Sequence, residues 1–131
     1  MKTINLKRIA VALAVAALVG SAAVQAQDAK PFLGDWKGTL SVAGMDLEIG
    51  LHFKLDEAKK IIGTFDSITQ GAMDLPLGAI EVKDKTITFM IDHPNVPGEP
   101  TFKGTLDGTG KKLSGEFTQG GAAGTFAVEK Q

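Results

Sequence analysis

A chain of 131 residues with 14 Lys and Arg against 15 Asp and Glu is close to neutral, at a formal charge of −1, and it contains no cysteine. These counts exclude a disulfide framework, a thiol nucleophile, an iron–sulfur cluster and a cysteine zinc site. The basic residues are scattered singly, which argues against a nucleic-acid or anionic-membrane surface.

Residues 1–26 read as a secretory signal peptide. Lys2, Lys7 and Arg8 make a basic start, residues 9–19 are almost wholly apolar, and Val24-Gln25-Ala26 offers small or short side chains where a signal peptidase reads. The apolar run is short of the roughly 20 residues that a bilayer span requires. Cleavage after Ala26 is therefore expected, leaving residues 27–131 as one exported domain, periplasmic or secreted, with no membrane attachment. Without Lys2, Lys7 and Arg8 the domain keeps 11 Lys, no Arg and 15 acids, a formal charge of −4.

Residues 28–32 form a short lead-in that Pro31 biases toward extended structure. Gly34-Asp35-Trp36-Lys37-Gly38 opens a first strand reaching Val42, and Ala43-Gly44 is a tight turn. Residues 45–56 then alternate without a break. Met45, Leu47, Ile49, Leu51, Phe53 and Leu55 fall on one side, and Asp46, Glu48, Gly50, His52, Lys54 and Asp56 on the other. A strand sends successive side chains to opposite faces, so this segment buries one face and wets the other.

A third strand is expected over 61–68 and a fourth over 73–82. In the fourth the apolar phase shifts near Pro76 and Gly78, which predicts a bulge or sharp bend. A fifth strand covers 86–91. Residues 92–99, with His93, Pro94, Asn95, Pro97 and Gly98, make the longest irregular loop. Strands over 100–107, 112–119 and 122–129 follow, joined by turns at 108–110 and Gly120-Gly121.

A weak repeat runs through these strands. Gly-Thr-Leu occurs at 38–40 and 104–106, Gly-Thr-Phe at 63–65 and 124–126, and Gly115-Glu116-Phe117 is a near-copy. Glycine inside a strand weakens it unless the strand bends sharply or another backbone comes close. Eight short antiparallel strands with that curvature predict an all-β, eight-stranded up-and-down barrel, with a two-layer sandwich as the alternative. An outer-membrane barrel would need aromatic girdles at both rims, and this chain has one Trp and no Tyr.

Several residues are candidates for a binding site. Trp36 is either an aromatic platform for a ligand or a plug across one end of the barrel. Phe53, Phe65, Phe89 and Phe117, with Phe102 and Phe126, either line an apolar cavity or fill a core. Gln70-Gly71-Ala72 and Gln119-Gly120-Gly121 each follow a Gly-x-Phe strand. In an up-and-down barrel the third and seventh strands run the same way, so Gln70 and Gln119 should share one end as a polar rim or as caps on loop backbone. His52 is expected outward and solvated. Two distant histidines among scattered acids point to no metal or cofactor. Ser41, Ser67 and Ser114 sit in no nucleophile motif, and Gly108-Thr109-Gly110-Lys111-Lys112 lacks the spacing and helix of a phosphate loop.

The motifs Gly34-Asp35-Trp36-Lys37-Gly38, Ser67…Gln70-Gly71-Ala72 and Gly115…Phe117-Thr118-Gln119-Gly120-Gly121 together resemble the small all-β domain that precedes the catalytic domain in some exported bacterial α/β-hydrolases. The Gly-x-Trp start also resembles the calycin barrels of lipocalins and avidins. The calycin resemblance implies a basic residue of the last strand packed over the Trp, and Lys130 is what that strand offers. The hydrolase domain itself is missing, so the resemblance carries no nucleophile. The expected function is a non-catalytic module that binds a small apolar or amphipathic molecule. The alternatives are an accessory domain acting with a serine hydrolase and an enzyme of a different class.

Overall fold

The computed structural model describes residues 29–131; the signal peptide assigned to 1–26 lies outside them. Eight strands follow one another: β1 (Gly34–Val42), β2 (Met45–Leu55), β3 (Ile61–Ser67), β4 (Ala72–Lys83), β5 (Thr86–Ile91), β6 (Thr101–Leu106), β7 (Lys112–Gln119) and β8 (Ala122–Lys130). Each pairs antiparallel with the next, and β8 returns to pair with β1, closing an up-and-down barrel. The sandwich alternative is thereby ruled out. The lead-in differs from expectation. Lys30–Phe32 is a single 3-10 turn rather than an extended segment. Pro31 is compatible with it because the first turn of a helix leaves its N–H groups unpaired in any case.

Strand direction alternates, so the connections at 43–44, 68–71, 92–100 and 120–121 gather at one end, here termed the mouth. The connections at 56–60, 84–85 and 107–111, with both ends of the described chain, gather at the base. At 43–44 and 120–121 both central residues have positive φ, the backbone that matches the twist of a two-residue hairpin. The phase change in β4 is a register shift between Gly78 and Glu81, as expected from Pro76 and Gly78. A second irregularity, between β3 and β4 at Phe65/Ser67, was not predicted.

The apolar face of every strand points inward. Phe102 is the hub: its ring centre lies 4.7 Å from Phe117, 5.0 Å from Phe89, 5.2 Å from Phe126 and 5.5 Å from Phe65. Phe53 packs edge-on against Phe89. The base is closed by Trp36, which is 1% exposed. Its indole Nε1 donates a 2.9 Å hydrogen bond to the Phe32 carbonyl. Lys130 lies with its ammonium 5.3 Å from the Trp36 ring centre and donates to the Pro31 carbonyl at 3.0 Å. The first turn, first strand and last strand are thus fastened together over the base.

Glycine permits the tight coiling. A Cβ at Gly115 would collide with the Lys103 carbonyl on β6, and one at Gly38 with the Ala127 carbonyl on β8. Replacing Gly115 by Ala should lower unfolding stability by roughly 2 kcal/mol or more, since neither backbone can yield without breaking ladder hydrogen bonds. Gly108→Ala, where an added Cβ meets nothing within 4 Å, should change stability by no more than about 0.5 kcal/mol. Urea unfolding of the two variants checks the contrast.

Candidate functional site

Two polar constellations stand out, one at the mouth and one on the outer wall. At the mouth the aromatic filling stops short of the rim. It leaves a cavity of about 200 Å³ with Leu40, Leu47, Phe65, Leu75, Ile91 and Phe117 among its walls. Its polar lining comes from Ser67, Gln70 and Gln119. Ser67 is an inward-facing polar side chain, 3% exposed. Its hydroxyl donates to Gln70 Oε1 at 2.8 Å.

Gln119 Nε2 donates to the Pro97 carbonyl at 2.8 Å, and the Gly120 N–H donates to the Gly98 carbonyl at the same distance. These two bonds draw the 92–100 loop against the β7–β8 turn, so that Val96 and Pro100 roof one side of the cavity. Gln119 therefore caps loop backbone with one half of its carboxamide, and Gln70 uses one half of its own on the Ser67 hydroxyl. Gln70 Nε2 and Gln119 Oε1 remain for solvent or a bound molecule.

The seven residues singled out from the sequence divide in two. Phe65, Gln70, Phe117 and Gln119 meet at the mouth. Trp36, Phe53 and Phe89 belong to the base and the packed middle of the core and do not line the cavity. Of the two readings of the phenylalanines, cavity lining or filled core, Phe65 and Phe117 border the cavity while Phe102 and its other neighbours fill the centre of the barrel.

On the outer wall His52 is held between two carboxylates. Its Nδ1 lies 2.7 Å from Asp35 Oδ1 and its Nε2 lies 2.7 Å from Asp66 Oδ2. Asp35 sits directly across from His52 in the β1–β2 register. Asp66 is only 5% exposed and faces Gly50, whose missing side chain leaves room for the carboxylate. Its other oxygen accepts the Asp74 N–H at 2.8 Å. Asp74 has φ of 57° and sits in the segment where β4 slips out of register with β3. Asp66 thus joins the unpredicted irregularity to the His52 pair.

Burial disfavours the His52 imidazolium. Hydrogen bonds to Asp35 and Asp66 and the negative charge of both carboxylates outweigh that effect, and His52 titrates above the ordinary value of 6.5. In the charged form both ring nitrogens donate, one to each carboxylate. Neither is then free to take a proton from a substrate. The hollow beside this pair, about 440 Å³ and lined by Asp35, His52, Lys54, Ile62, Thr64 and Asp74, lies on the outer wall.

Sequence reasoning placed His52 outward but missed its partners. The Asp35 partner was within reach, since a two-residue turn at 43–44 puts positions 35 and 52 opposite each other. Asp66 was not, because alternation alone does not show that an outward carboxylate is covered.

Comparison with protein-family models, with curated proteins and with solved structures found no match.

The charged His52 stabilises the fold most fully below about pH 6.5, and that contribution fades as pH rises through the elevated folded-state pKa. Histidine NMR titration should place His52 above 6.5, and His52→Gln should flatten the stability–pH curve over that window. Asp66→Ala, which leaves the Asp74 N–H without its acceptor, should cost about 1–3 kcal/mol at neutral pH in urea unfolding.

Proposed function

We propose that this chain is an exported, non-catalytic binding module that holds a small apolar or amphipathic molecule in the mouth of its barrel. The observation that carries the reading is the cavity itself: an apolar floor of Phe65 and Phe117 meets two glutamines at the rim. Ligand sites are commonly apolar hollows with a few polar groups that orient the guest, and barrel mouths are frequent places for them. At about 200 Å³ the hollow falls below the range of about 300–1,000 Å³ usual for drug-sized ligands. It suits a short chain or a single ring. Export is supported by the signal-like residues 1–26. The contact of Lys130 with Trp36 supports the calycin likeness.

No catalytic role is proposed for the serines or for His52. The Ser41 hydroxyl donates to Asp46 and that of Ser67 to Gln70, while both ring nitrogens of His52 are taken by carboxylates.

A second reading has its own support. Met45 (52% exposed), Met73 (54%) and Ile68 crowd the same end of the barrel, as a surface for a partner such as a serine hydrolase would require.

Thermal denaturation of delipidated protein with short-chain amphiphiles separates the two. A rise in melting temperature that is abolished in Ala72→Phe, where the new ring fills the mouth, is expected for small-molecule binding. The absence of any shift across the panel would remove that reading and leave the docking surface in its place.

A further inference from the structure

Among the described residues the mouth carries no Lys or Arg, and its one histidine, His93, accepts the Asn95 N–H at Nδ1. None of the connections 43–44, 68–71, 92–100 and 120–121 contains Lys or Arg, and no Lys lines the cavity. The charged residues in or next to these connections include Asp46, Asp92 and Glu99, none of which lines the cavity. Asp46 already accepts the Ser41 hydroxyl. An anionic head group brought to the cavity would therefore lose part of its hydration with no cation to replace it.

The polar groups that do face the cavity are neutral and of both kinds. The Ser67 hydroxyl directs its hydrogen to Gln70 Oε1 and keeps acceptor capacity. Gln70 Nε2 is a donor, and Gln119 Oε1 is an acceptor because its Nε2 is committed to Pro97. A head group that both donates and accepts satisfies this set. A carboxylate, which only accepts, is left facing Ser67 Oγ and Gln119 Oε1 without a proton to offer.

Resting on the binding reading above, we propose that the mouth selects an uncharged amphiphile whose head is a hydroxyl or an amide, and that it rejects the carboxylate of the same chain length. Cavity size sets the tail and the Ser67–Gln70–Gln119 set recognises the head.

The test is calorimetric titration of delipidated protein at pH 8 with 1-octanol, octanamide and octanoate. Octanol and octanamide should bind about tenfold or more tighter than octanoate. Gln70→Lys, an exposed rim substitution, should invert the order by supplying the missing cation. Octanoate binding as tightly as octanol, or an unchanged order in Gln70→Lys, would overturn the head-group selectivity while leaving the cavity reading intact. Failure of all three probes to bind would overturn both.

Discussion

Pairing of β8 with β1 over seven residues, from Trp36 opposite Lys130 to Val42 opposite Gly124, is the constraint on which the rest depends. A closed sheet has no free edge and no freedom to open its interior. At eight strands the interior is just wide enough for side chains. The rings around Phe102 take up that width, and Trp36 takes up the base. Space is left where the aromatic layers end, above Phe65 and Phe117. The cavity's place is thus a consequence of closure and of how high each phenylalanine sits along the axis.

That last quantity explains what was and was not legible. Two-step alternation in residues 45–55 announced a strand with one buried face, and phase slippage near Gly78 announced a bulge that the β4–β5 register confirms. The shared end of Gln70 and Gln119 followed from the parity of strand direction. Alternation, however, says whether a side chain points inward and not at what height. Phe53, Phe65, Phe89 and Phe117 look alike in the sequence, yet only two of them border the mouth. The irregularity at Asp74 was hidden for another reason: it is tied to a carboxylate contributed from Asp66 on the neighbouring strand, and nothing in the spacing of β4 itself signals it.

The two polar constellations do different physical work. The Asp35–His52–Asp66 set spans β1, β2 and β3 on the outside and reaches the slipped segment of β4 through the Asp74 N–H. It adds side-chain links to the backbone pairing of β1, β2 and β3. The Ser67–Gln70–Gln119 set lies at the mouth, where Gln119 secures the 92–100 loop and Gln70 accepts from Ser67, and Gln70 Nε2 and Gln119 Oε1 are left for solvent. Charge is concentrated where the wall must hold together, and neutrality is kept where a guest would have to shed water.

Both ends of the described chain leave from the base, where Lys130 holds the Pro31 carbonyl and the Gln131 N–H donates to Asp35. The opening lies at the opposite pole. The first and last described residues thus share the pole away from the cavity, so a tag fused after Gln131 would be attached at the base and not at the mouth.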